Sequence, residues 1–128
     1  MADILVVEDE PDIGELIQQF LEGEGHTVRR AANGKEALIM QSQRLPEVVL
    51  MDIQMPELSG TEMAERMFVE NAGRECIPIV VTSASTELVR TARAIGTPYA
   101  LPKPFYPEAL LAVVDRALRE RRIPKPAW

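Results

Sequence analysis

Two kinds of hydrophobic pattern alternate along the chain. Five short apolar runs bounded by turn residues are separated by five segments in which apolar residues recur three and four positions apart. The first run, residues 4–7, precedes a helix with Ile13, Leu16, Ile17, Phe20 and Leu21 on one face. Pro11 suits the first turn of that helix, and Gly23 and Gly25 end it. Residues 26–31 form a second strand of weaker pattern, interrupted by Arg29 and Arg30, which places it at a sheet edge. Asn33 and Gly34 introduce a second helix, with Ala37, Leu38 and Met40 or Gln41 inward, and Pro46 closes it.

The third run, Val48, Val49, Leu50 and Met51, is apolar on both parities and therefore predicts a strand buried on both faces. It ends in a carboxylate, Asp52. Pro56 and Gly60 mark the following loop, and Ser59 with Glu62 three residues later has the form of a capping box. Met63, Ala64, Met67 and Phe68 then supply the inner side of a third helix. Residues 77–81 form the fourth strand, which ends in Thr82 and Ser83. Ser85 and Glu87 start a fourth helix with a thin stripe of Leu88, Ala92 and Ile95, and Gly96 stops it. Residues 98–101 form a fifth strand, and Pro107 opens a last helix with Leu110, Val113, Val114, Ala117 and Leu118 on one face.

Regular alternation of strand and helix implies right-handed crossovers and a doubly wound α/β fold, a parallel sheet covered on both faces. In such folds the functional crevice lies beyond the carboxyl ends of the strands. At 128 residues, 46% of them hydrophobic, the chain is expected to form one domain, residues 1–122, followed by a short tail, residues 123–128. Fourteen basic against twenty acidic residues give a net charge of −6, so no direct nucleic-acid binding is expected. The single cysteine, Cys76, permits no internal disulfide, and no apolar run approaches the roughly 20 residues of a membrane span. Asp3 breaks any signal-peptide pattern, and the expected location is the cytoplasm.

The residues that follow the strands carry the chemistry. Glu8, Asp9 and Glu10 follow the first, Asp52 the third, Thr82 and Ser83 the fourth, and Lys103 and Pro104 the fifth. Each alone has an ordinary reading, as a helix cap, a loop acceptor or a solvated charge. Gathered at one sheet edge they mean more. Two carboxylates about 4 Å apart repel by roughly 4 kcal/mol at an effective dielectric of 20, so the acidic group requires a cation or a proton. An oxygen-only ligand set favours Mg²⁺, which keeps waters and commonly accepts a phosphate. Asp52 can then act as a nucleophile toward a phosphoryl group, with Lys103 and the Thr82 hydroxyl contacting its oxygens.

Four stretches, ILVVEDEPDI, MDIQMPELSG, IPIVVTS and the KPF at Lys103, stand in an order and spacing that resembles the receiver domains of two-component response regulators over essentially the whole chain. The resemblance implies a flavodoxin-like (βα)5 fold with strand order 2-1-3-4-5. It implies that a sensor histidine kinase or histidine phosphotransfer protein donates a phosphoryl group to Asp52. Mg²⁺ would be held by Glu8, Asp9, Asp52 and the backbone carbonyl of Gln54, with Lys103 and Thr82 sensing the phosphate and a cis bond joining Lys103 to Pro104. Catalysis would extend only to the chain's own phosphorylation and dephosphorylation. A downstream protein would bind the face formed by the fourth helix, fifth strand and fifth helix, with the receiver a monomer or a phosphorylation-dependent homodimer.

The sequence departs from the family in three places. The aromatic residue usual three positions before the lysine is replaced by Ala100, and Tyr99 beside it must point to the opposite face. Pro98 and Pro102 share a parity that suits an open edge, and Ser83 stands where a smaller residue is usual. Two other readings compete with the switch. One is a receiver-like module that works without phosphate. The other is a small phosphate-handling enzyme or flavin mononucleotide binder of the same fold, which Glu8, Asp9 and Glu10 oppose by repelling phosphate in the absence of a metal.

Overall fold

The computed structural model describes residues 1–53 and 60–128, the side chains of residues 60–63 excepted. Its elements are β1 (Asp3–Val7), α1 (Pro11–Gly23), β2 (Thr27–Ala31), α2 (Gly34–Gln43), β3 (Val48–Asp52), α3 (Gly60–Arg74), β4 (Ile79–Ser83), α4 (Leu88–Ile95), β5 (Tyr99–Pro102) and α5 (Pro107–Glu120). The strands form one parallel sheet in the order β2-β1-β3-β4-β5, so the doubly wound fold expected from the alternation is present.

Strand parity divides the core in two. Leu5, Val7, Val49, Met51, Ile79 and Val81 face one side, where Ala37 of α2, Phe68, Val69 and Ala72 of α3, and Leu88, Ala92 and Ile95 of α4 cover them. Ile4, Val6, Val48, Leu50, Val80, Tyr99 and Leu101 face the other, against Ile17 and Leu21 of α1 and Leu110, Val114 and Ala117 of α5. Each strand residue is thus assigned to a layer by its position alone. Because β3 sits centrally with both faces covered, its last residue is delivered to a fixed point at the edge of the sheet.

Several boundaries differ from those the sequence suggests. His26 lies before β2, where its Nδ1 accepts the Ala2 N–H at 3.1 Å. Ile77 is buried but precedes β4, following Cys76 in a left-handed conformation with φ 61°. Met67 and Leu16 are about half exposed; on the inner face of α3, Phe68 is buried as expected and is joined by Val69 and Ala72. Ser59 and Glu62, the expected capping box, lie outside the described residues and side chains.

Tyr99 and Ala100 face opposite ways, as strand alternation requires. Tyr99 is fully buried in the α1–α5 layer, and its hydroxyl donates to Glu120 Oε1 at 3.1 Å. Ala100 packs against the α2–α4 layer. The segment after α5 does not leave the body: Lys125 N–H donates to Gly96 O at 3.1 Å and Ala127 N–H to Ala94 O at 2.9 Å.

Candidate functional site

Four strand ends converge at one edge of the sheet. Glu8 directly follows β1, and its N–H still pairs with Ala31 O of β2 at 3.0 Å, so its backbone is fixed while its side chain turns inward. Asp52 ends β3 opposite Thr82 of β4, and the next amide, Ile53 N–H, donates to Thr82 O at 2.9 Å. Lys103 follows β5, its N–H donating to Ser83 O at 3.0 Å, and its bond to Pro104 is cis. Thr82 is buried.

The side chains meet around the lysine. Lys103 Nζ lies 2.6 Å from Glu8 Oε1 and 3.2 Å from Asp52 Oδ2, and oxygens of Glu8, Asp9 and Asp52 can all lie within 4.8 Å of one another. The Glu8 side chain is 2% exposed, Lys103 13% and Asp52 16%. Burial, reinforced by the Asp52 charge, pushes the Glu8 carboxyl up to about 7 despite its bond to Lys103. Burial also opposes the lysine's charge, but Glu8 and Asp52 outweigh it and its pKa rises.

When all three carboxylates are ionised, the single ammonium leaves a net charge of about −2, which one divalent cation would balance. The space beside them fits that role. A cavity of about 70 Å³ is lined by Val7, Glu8, Asp9, Ala32, Asn33, Asp52 and Glu65, whose side-chain donors are oxygens apart from the Asn33 amide. Such a site could take a hard, oxygen-preferring divalent ion with several retained waters. Glu8, Asp9 and Asp52 are the side chains that could hold one. Gln54, expected to offer its backbone carbonyl, lies outside the described residues.

A second, larger space opens on the other flank of Asp52. It measures about 560 Å³ and runs between α1 and the β5–α5 connection, with Ile13, Leu16, Phe20 and Phe105 on its walls and Asp52 and Lys103 at its end. The half-exposed Leu16 thus has a place, at the rim of an apolar groove. Sequence reasoning did not anticipate Asn33 or Glu65 beside the acidic residues. They come from α2's cap and from α3, and no spacing in the chain links them to Asp52.

Residues 4–115 match the family described as the response regulator receiver domain. The chain belongs to that family. The receiver is 36% identical to protein PilH of Pseudomonas aeruginosa over 121 residues, covering 92% of this chain and 98% of PilH. It is 31% identical to the response regulator SaeR of Staphylococcus aureus over 120 residues, or 92% of this chain and 51% of SaeR. Among solved structures, the chemotaxis response regulator CheY4 of Vibrio cholerae superposes with a TM-score of 0.76 at 31% identity, covering 92% of the receiver and 99% of CheY4. NtrX of Brucella abortus gives 0.80 at 32% identity, and there the receiver spans 94% of its own length but only 27% of NtrX. The strand order and the flavodoxin-like receiver fold agree with these relatives. Among the described residues no helix is long and apolar enough to cross a membrane.

Proposed function

We propose that the receiver is a phosphorylation-activated switch in which Asp52 accepts a phosphoryl group from the phosphohistidine of a sensor histidine kinase or phosphotransfer protein. The observation that carries this is the placement of Lys103 Nζ between Glu8 and Asp52, with Asp9 completing an acidic group beside it. The Asp52 carboxylate attacks phosphorus while the P–N bond to the donor imidazole breaks; the imidazole nitrogen keeps the electron pair and takes up a proton. Glu8, Asp9 and Asp52, with the Gln54 carbonyl that the family resemblance adds, would hold Mg²⁺, which would supply charge neutralisation for the incoming oxygens. Lys103 exchanges its carboxylate partners for a phosphoryl oxygen, and the Thr82 hydroxyl donates to another. The apolar groove between α1 and Phe105 gives the donor protein a surface that ends at the reacting carboxylate.

Phosphorylation adds roughly −2 charge and three strong acceptors beside Thr82 and Lys103. Drawing Thr82 inward repacks the face of α4, β5 and α5, where Val89 and Tyr106 are 61% and 80% exposed. A downstream protein binds there, with a second copy of the receiver as the alternative partner. The receiver turns over no substrate beyond its own phosphoryl group and works in the cytoplasm, without membrane or direct nucleic-acid contact. Ala100 gives some support to a second reading, a module that binds its partner regardless of phosphate.

Titration with Mg²⁺ and beryllofluoride, which stands in for a phosphoryl group, tests the switch. Saturable amide shifts near Asp52, Thr82 and Lys103 are expected, dependent on Mg²⁺ and lost in Asp52→Asn. No saturable response near Asp52 would sink the reading.

A further inference from the structure

Residues 122–128 belong to no helix or strand, yet they are held along their length. Arg121 ends α5 in a left-handed conformation, and the next amide, Arg122 N–H, donates to Tyr99 Oη at 3.2 Å. Pro124 is buried. The Lys125 and Ala127 amides reach the Gly96 and Ala94 carbonyls at the end of α4. Trp128 Nε1–H donates to Glu70 Oε1 of α3 at 2.9 Å, and the Arg66 guanidinium lies 5.2 Å from the centre of the indole. The segment therefore bridges α5, α4 and α3.

Its sequence, PKPAW, suits this path. Along extended chain successive N–H groups point to opposite sides. The two donors, Lys125 and Ala127, alternate with Pro124 and Pro126, so each proline stands where a donor would point away from α4. The prolines fix φ and bias the residues before them toward extended backbone, which lowers the entropy lost on docking. Two glycines make room. A Cβ on Gly96 would collide with the Lys125 carbonyl, and one on Gly73 would come within 3.0 Å of Pro124 O.

What the segment grips is the short helix α4. A helix end leaves carbonyls without intrahelical partners, and here Ala94 O and Gly96 O receive theirs from the tail. The other end of α4 is tied toward Thr82: Ser85 N–H donates to Ser83 Oγ, and Glu87 N–H to Ser85 Oγ, each at 3.0 Å. Displacing Thr82 therefore pulls on one end of a helix whose other end the tail holds.

We propose that residues 122–128 are a clasp docked in the groove between α3 and α4, and that Trp128 undocks when α4 shifts in the switched state. The docking stands on the contacts themselves; the coupling to the switched state rests on the phosphoacceptor reading of Asp52. With Ala100 in place of a rotating aromatic, the clasp offers another route from the site to the surface.

Hydrogen exchange and fluorescence test it together. In the chain ended after Ile123, and separately in Trp128→Ala, amides 88–97 should exchange about tenfold faster or more, while those of β1 and β3 are unchanged. Trp128 is the only tryptophan, so its emission and quenching by acrylamide report on docking alone. Both should change on adding Mg²⁺ with beryllofluoride, and neither in Asp52→Asn. Unaltered α4 exchange in both variants overturns the clasp. Shifted amides at residues 82–85 with an unmoved Trp128 signal overturn the coupling and leave the Asp52 reading standing. Silence of both signals removes that reading and the coupling with it, while the exchange data still decide the docking.

Discussion

Lys103 stands closer to Glu8 than to Asp52, at 2.6 Å against 3.2 Å. The lysine is thus shared between a candidate metal ligand and the candidate phosphoacceptor, so its charge competes with any cation bound at Glu8. Lys103→Met should consequently bind Mg²⁺ more tightly than the parent, while losing the beryllofluoride response at Thr82. Removing one partner of a buried ion pair costs about 3–5 kcal/mol, and less is expected here because Glu8 can take up a proton. Calorimetric Mg²⁺ titration and urea unfolding read the two effects; weaker Mg²⁺ binding would contradict the competition.

Glu8 gives the receiver a defined pH dependence. Its folded carboxyl is raised from the ordinary 4.5 to about 7, mainly by burial. A group raised in the folded state contributes stability that is present below 4.5 and lost as pH rises through about 7. Without Mg²⁺, the parent should therefore lose more stability than Glu8→Gln between pH 5 and pH 8. Mg²⁺ at ten times its Kd should return about 1.4 kcal/mol, and more of that ion should be needed at pH 6 than at pH 8 because a proton holds the site. Thermal unfolding across this range, with and without the ion, checks both signs.

Gln41 is 1% exposed, and among the described residues neither its side-chain nitrogen nor its oxygen has a hydrogen-bond partner. A buried amide left unpaired costs free energy that an apolar group of similar shape does not. Gln41→Met should stabilise the fold by about 1–2 kcal/mol in chemical denaturation, with an unchanged m value. A loss of stability would mean the amide is satisfied.

Tyr99 is locked by two bonds to its hydroxyl, one donated to Glu120 and one accepted from Arg122 N–H. Tyr99→Phe keeps the buried ring and removes both. The expected cost is about 0.5–1.5 kcal/mol, with faster exchange at the Arg122 amide.

The layered fold was legible because every strand but β2, which carries Arg29 and Arg30, is a short apolar run cut off by turn residues, and because helix stripes such as Ile13, Ile17 and Leu21 repeat at the right spacing. Periodicity placed faces less well than it placed elements. Leu16 and Met67 satisfy the stripe yet stand half exposed, one at the rim of a groove and the other a residue off the inner face of α3. In the candidate site, Glu8, Asp9, Asp52, Thr82 and Lys103 were readable as a group because each follows a strand, and a parallel sheet brings such residues together. Asn33 and Glu65 were not, since their proximity depends on how α2 and α3 pack. The path of residues 122–128 was equally hidden: it is set by Gly73, Gly96 and Glu70, which lie far away in the chain. Gln54 lies outside the described residues.

The most direct test is to locate the phosphoryl group itself. The receiver would be incubated with Mg²⁺ and a small-molecule phosphodonor, reduced with borohydride to trap the acyl phosphate, and mapped by peptide mass spectrometry. A phosphoacceptor predicts one modified residue, Asp52, with labelling lost on chelating Mg²⁺ and absent in Asp52→Asn. Labelling at another residue, or none while Mg²⁺ still binds, would contradict it.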